Sequence, residues 1–342
     1  MPSLDFPVNP LRDTLYTRDS LYGNYSLEDP LSVKDTLDFK LFKGFVMDGG
    51  PMPQTYNAGI MRSLHDNSIT EQLERLRRRT PRIAAIMGGH RERRGSAIYR
   101  NVCLMSAHLT RSGLLMASGG GPGAMEACHL GAYLSQRSDD EIMQAVDTLS
   151  DVADLPQNLR DLVKPDGTVN DAIIHEIHSW LKPAFQLIQQ YPDGRNSLAI
   201  PTWLYGHEPA CPFANSIAKY FQNSIREDGL LAIAKYGIIF TKGQAGTLQE
   251  VFQDAAQNYY NAYDWFSPMI FLDDEDCWSV TFPVIPILRT MFCRDEAHCD
   301  VPTYTNYVKV TKDWREAVRI LKEFVPPYTP QPKESGENLR DL

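Results

Sequence analysis

From Arg82 onward, short apolar runs that end in glycine alternate with stretches whose apolar residues recur at helical spacing. Arg82-Ile-Ala-Ala-Ile-Met-Gly-Gly89 has the continuous hydrophobicity of a strand buried on both faces. Ser96 to Arg111 then places Ile98, Val102, Met105 and Leu109 on one side of a predicted helix, which stops at Gly113. Leu114–Ala117 predicts a second strand, and a helix opens at Ala124. Residues 82–134 thus read as a β-α-β-α unit. The alternation resumes with a strand over Ser197–Trp203, a helix around Phe213–Ile225, a strand over Tyr236–Phe240 and a helix over Thr247–Tyr260. Further strands are predicted at Pro268–Leu272 and Tyr307–Val310. Asp313 is read as the cap of a last helix, with Glu316 completing a capping box. Together these elements predict an α/β fold, a Rossmann-like doubly wound parallel sheet with helices on both faces.

Three regions fall outside the alternation. Residues 1–65, rich in Tyr, Asp, Asn, Pro and Gly, read as an extended N-terminal arm with a short helix near Asp38–Phe45. Residues 135–195 read as a helical insertion, with helices over Asp139–Leu149 and Asn170–Gln190 separated by Pro156 and the turn Lys164-Pro-Asp-Gly167; a lid or a dimer surface would suit it. Residues 326–342, Pro-rich and charged, read as a disordered tail. The Rossmann-like domain is therefore placed at 66–325, opening with a helix over Ile69–Arg79 whose basic end suits a helix C-terminus.

Composition narrows the function classes. The 342 residues are 43% hydrophobic and 23% charged, which is enough for a sizeable core. A net charge of −9 argues against a general nucleic-acid partner. No apolar run approaches the roughly 20 residues of a membrane span, and the N-terminus has no secretory pattern, so the expectation is a cytoplasmic protein. Six scattered cysteines without a C-x-x-C are expected to be buried thiols.

Two glycine-rich turns carry the candidate chemistry: Ser118-Gly119-Gly120-Gly121-Pro122-Gly123 and Lys242-Gly243-Gln244-Ala245-Gly246-Thr247. A strand, a glycine turn and a helix start gather bare N–H groups and the positive end of a helix dipole around one point, which suits a phosphate. Glycines that only permit tight helix–strand packing are the alternative. The first turn matches a dinucleotide fingerprint as Gly119-x-Gly121-x-x-Ala124. It lies on the second βα turn, however, and lacks the ribose-binding acid at the end of the next strand, so a mononucleotide is favoured over NAD. After the second turn, Glu250 aims a carboxylate at the helix start, either as chemistry or as a complement to the dipole. Met87-Gly88-Gly89-His90 is expected to line the same crevice, with Gly89 and His90 as candidate contacts. Taken alone, His90 is read in preference as an ordinary loop histidine, and Ser96, a candidate phosphate contact, in preference as a helix N-cap.

The pair Gly119-Gly-Gly-Pro-Gly-Ala-Met-Glu126 and Lys242-Gly-Gln-Ala-Gly-Thr-Leu-Gln-Glu250 resembles the LOG family of Rossmann-like nucleotide phosphoribohydrolases, once mislabelled lysine decarboxylases. The family motif reads P-G-G-x-G-T-x-x-E, with an arginine about 15 residues before the proline; here Arg226 lies sixteen residues before Lys242. The likeness covers roughly residues 82–134 and 197–275. Lys242 replaces the proline and Gln244 the second glycine, which puts the approach of the backbone to a phosphate in question. The resemblance implies hydrolysis of the N-glycosidic bond of an AMP-like nucleoside 5′-monophosphate, with no cofactor and no metal, by a homodimer. It implies catalytic roles for Glu250 and Arg226, and phosphate or nucleotide contacts from Gly119, Gly120, Gly121, Gly243, Gln244, Ala245, Gly246 and Thr247. A non-catalytic nucleotide-binding or sensing protein of the same fold is the alternative. The acidic run Asp273–Asp276 and the pair His175 and His178 are read as a solvated loop and a helix face rather than metal ligands.

Overall fold

Strand-forming residues in this chain are mostly apolar, and the computed structural model, which describes residues 8–204, 208–260, 262, 265–293 and 301–327, buries most of them in one parallel sheet, the edge strand Val308–Thr311 excepted. The chain enters through α1 (Arg18–Tyr22), α2 (Leu37–Met47) and α3 (Tyr56–Arg79). It continues through β1 (Ile83–Met87), α4 (Ala97–Arg111), β2 (Leu115–Ser118), α5 (Ala124–Tyr133), α6 (Asp139–Ser150) and α7 (Asp171–Gln190). Next come β3 (Leu198–Ala199), β4 (Ser216–Ile217), α8 (Asn223–Ile233), β5 (Ile238–Phe240) and α9 (Ala245–Tyr259). The described chain closes with β6 (Met269–Leu272), α10 (Val284–Phe292), α11 (Val301–Tyr307), β7 (Val308–Thr311) and α12 (Trp314–Glu323).

The strand order is β4-β3-β2-β1-β5-β6-β7, and every pair is parallel. Alternate residues of β1 feed opposite cores. Ile83, Ala85 and Met87 pack with Phe39, Ile69 and Val251, whereas Ala84 and Ile86 pack with Val102, Ala127 and Val318. Helices thus cover both faces, as a Rossmann-like doubly wound fold requires. The chain leaves β1 for β2 on one side and returns to β5 on the other. The carboxyl end of β1 is therefore the switch point where such sheets hold ligands.

Several elements differ from the sequence reading. The helix expected at Phe213–Ile225 is instead extended chain: Ser216 and Ile217 pair with β3 as an edge strand, and Lys219 is drawn into the core by Asp38, Nζ to Oδ1 2.7 Å. Helix α8 starts only at Asn223, because Asp66 of α3 accepts from the N–H groups of Phe221 (3.0 Å) and Gln222 (2.8 Å), a cap supplied from outside the segment. The strand expected at Ser197–Trp203 is regular only over Leu198–Ala199. The first long helix begins at Tyr56 rather than Ile69, with Thr55 as its N-cap. The described part of the 1–65 segment is not simply extended: α2 and the start of α3 lie in it, and Phe39, Leu41 and Phe42 join the core. Asp313 caps α12 by accepting from the Arg315 N–H, but Glu316 pairs with Arg319 instead of closing a capping box. Cys103, Cys128, Cys211 and Cys277 are buried thiols, whereas Cys293 is disulfide-bonded, contrary to the expectation of thiols throughout. The two insertion helices match the reading to within a residue or so. Most of the 326–342 tail lies outside the described residues. Among the described residues no helix is long and apolar enough to cross a membrane.

Candidate functional site

Both glycine turns sit at the switch point. The first links β2 to α5, where Gly123 takes φ +72°, a conformation that favours glycine, and packs against the Gly89–His90 peptide; a Cβ there would lie 2.8 Å from the His90 carbonyl carbon. The Ala124 N–H donates to the Gly89 carbonyl at 3.1 Å, and the Gly89 N–H to the Lys242 carbonyl at 3.0 Å. Backbone hydrogen bonds thereby tie the carboxyl ends of β1, β2 and β5 into one floor. The N–H groups of Gly119, Gly120 and Gly121 make no hydrogen bond among the described residues, and neither do those of Ala245 and Gly246 in the first turn of α9. Such a set of free donors at a helix start suits an anion. In the second turn Thr247 packs its buried hydroxyl against Gly243, Gln244 stands extended at the N-cap position, and Gly246 faces open space.

Arg226 and Glu250 meet between the turns. Arg226, on the first turns of α8, is held by its Nε–H donating to the Ile200 carbonyl at 2.9 Å. Its Nη1 lies 3.8 Å from Glu250 Oε1 and 3.9 Å from Glu227 Oε1, and its Nη2 fills the space above Gly119. Glu227 is itself engaged by Asn223 (2.7 Å) and Gln249 (2.6 Å), which leaves Glu250 as the carboxylate without a hydrogen bond among the described residues. Burial pushes the Glu250 carboxyl up to about 7; the Arg226 guanidinium opposes this, and the Glu227 charge adds to it.

A second acid completes the group, and the sequence reading missed it. Glu208 reaches the first turn, with Oε2 2.9 Å from where a Cβ on Gly121 would lie. Burial raises its carboxyl, opposed by the charges of Arg226 and Lys219. In sequence it sits in Gly206-His-Glu-Pro-Ala210, a stretch with no periodicity or motif. The only signal was an isolated acid flanked by proline between two core segments.

From Glu208 a cavity of about 630 Å³ opens along the first turn, past Pro122 and Gly123, to His90, Arg91 and Arg160. Its far wall belongs to the insertion, which is anchored by Arg94. That side chain forks onto Glu126 (2.6 and 2.8 Å), stacks 4.0 Å from the Trp180 ring and donates to the Trp180 carbonyl. Partial burial, then the Arg91 charge, lowers the His90 imidazole below its ordinary value.

Other candidates resolve as structure. Lys242 turns away from the crevice to Glu275, Nζ to Oε2 2.5 Å. Asp273 accepts from the Trp278 and Ser279 N–H groups, so the acidic run is a loop cap, and no metal-binding group of acids, histidines and cysteines occurs among the described residues. His178 is buried against the Ser26 carbonyl, and Ser96 caps α4.

Fold and site together define an α/β protein of Rossmann-like architecture with an anion-suited crevice at its switch point and a carboxylate–guanidinium group within it. Comparison with known protein families finds no family model that matches the chain, and comparison with curated proteins finds no matching relative.

Proposed function

We propose that the protein is a hydrolase of the LOG type that cleaves the N-glycosidic bond of a nucleoside 5′-monophosphate to free base and ribose 5-phosphate. The observation that carries this reading is the placement of Glu250 and Arg226 between two glycine turns with free N–H donors. The 5′-phosphate lies against the N–H groups of Ala245, Gly246 and Thr247 and the Thr247 hydroxyl, at the positive end of α9. The ribose spans the space under Arg226. Bond cleavage builds positive charge on the ribose ring, and ionised Glu250 stabilises it and takes a proton from the attacking water. Water oxygen bonds to the anomeric carbon as the carbon–nitrogen bond breaks. Glu208, whose carboxyl burial raises, gives its proton to the leaving nitrogen. Two carboxyls of separate environment thus serve as base and acid.

Incubating the protein with a panel of nucleoside 5′-monophosphates and separating free base and ribose 5-phosphate by chromatography tests the reading. Base release should follow an ascending pH limb near 7, where Glu250 ionises, and Glu250→Gln should lower kcat by at least about 100-fold with the fold intact. Undiminished turnover in Glu250→Gln would overturn the mechanism. Lys242 in place of proline favours one second reading, a nucleotide-binding protein without cleavage. Nucleotide-dependent thermal stabilisation with no product would select it.

A further inference from the structure

Most charged residues that line the cavity beside the first glycine turn are paired with one another. Arg93 is matched by Asp154 in a two-point contact (2.8 and 2.8 Å), Arg94 by Glu126, and Glu92 accepts from the Ser96 hydroxyl. Arg91 and Arg160 remain, with no acidic partner among the described residues; both line the cavity, together with Glu208, His90 and the Gln157 amide. Guanidinium groups carry five donors and no acceptor. Glu208 in the lining disfavours a phosphate beside it and suits a nitrogen that is to be protonated. The volume of about 630 Å³ lies within the range of small-ligand pockets.

Resting on the nucleotide reading above, we infer that this cavity is the base subsite, and that Arg91 and Arg160 select bases whose outer edge presents acceptors only, namely 6-oxopurines. An oxo group beside a ring nitrogen receives two guanidinium N–H groups, the pairing that arginine makes with guanine. A 6-aminopurine would aim its own N–H donors at those of the arginines and leave both unpaired, which sites built on hydrogen bonding reject strongly. The AMP-like ligand expected from the sequence is thereby narrowed at its base. Arg160 comes from the insertion, so specificity is set by a segment outside the Rossmann-like core.

The test measures kcat/KM for GMP, IMP, XMP and AMP in the full-length protein and in the Arg91→Ala, Arg160→Ala double variant. Product inhibition by ribose 5-phosphate and calorimetric binding of GMP and AMP are read in parallel. The expected result is at least a ten-fold preference for the oxopurine nucleotides, falling toward one in the double variant, while inhibition by ribose 5-phosphate weakens far less. AMP handled as well as GMP, or a preference that survives the double variant, would overturn the inference and leave nucleotide hydrolysis standing. Ribose 5-phosphate inhibition lost in step with GMP turnover would mean that the arginines hold the phosphate, and overturns it too. Selective GMP binding without cleavage, abolished in the double variant, supports the base subsite and overturns the hydrolytic reading. Binding of neither nucleotide overturns both.

Discussion

Arg226 is pinned at three points, by the Ile200 carbonyl, by two acids just within ion-pair reach, and by the surface of Gly119. A rigid donor fork held this way offers its free edge to a ligand with little ordering cost. Gly119 is the sensitive neighbour, because a Cβ there would collide with Arg226 Nη2 and Met125 Sδ, both flexible side-chain ends. Gly119→Ala should therefore fold normally yet displace the guanidinium. We expect kcat/KM to fall by about 10²-fold, as a misplacement of order 1 Å does, with a thermal midpoint near that of the parent. Parental kinetics in that variant would show that Arg226 is not positioned by this turn. Glu250 was singled out by its place after the glycine turn, and Arg226 by the family motif that the sequence resembles. Glu208 was not, because its role arises from the approach of a non-repeating segment to Gly121 across the crevice.

At the scale of elements, α4 and α5 cross so closely that a Cβ on Gly131 would run into the Cys103 carbonyl oxygen, a backbone atom with no freedom to retreat. These two helices carry the Ala84–Ile86 face of the sheet, and α5 begins at the first glycine turn. Gly131→Ala should cost about 1–3 kcal/mol, as overpacking does, seen as a lower urea midpoint. Loss of activity would accompany it only in proportion to unfolding. An unchanged midpoint would mean that the crossing relaxes freely. The helices that carry the site were readable where a periodic face met a local stop signal, as in α4, α7 and α9. Helix α8 was misplaced because its cap, Asp66, lies 156 residues upstream of Gln222, beyond any local pattern.

For the whole molecule, buried titratable groups shape stability against pH. Burial raises the Glu250 carboxyl to about 7 and holds Asp254, whose Oδ2 has no partner among the described residues, well above its ordinary value. The folded chain thus keeps protons on these acids that the unfolded chain releases from about pH 4 upward, so stability falls as pH rises through 7. His129 acts in the opposite sense: burial depresses it to about 3, so below its ordinary 6.5 only the unfolded chain gains that proton, and stability falls as pH drops. One histidine offsets only one of the two acids between about pH 4.5 and 6.5, so a net loss of stability with rising pH remains. Thermal midpoints should therefore decline as pH rises from about 4.5 to 7. Combined Glu250→Gln and Asp254→Asn substitution should abolish that decline; a decline of parental size in that variant would refute the assignment. The sequence by itself determined the strand–glycine–helix alternation, the parallel sheet it builds and the two turns, because these depend on local periodicity and on conformations that glycine allows. Only the tertiary structure decided which acids share the crevice, where the edge strand and α8 begin, and which arginines face the cavity, because those depend on burial and contacts between residues far apart along the chain.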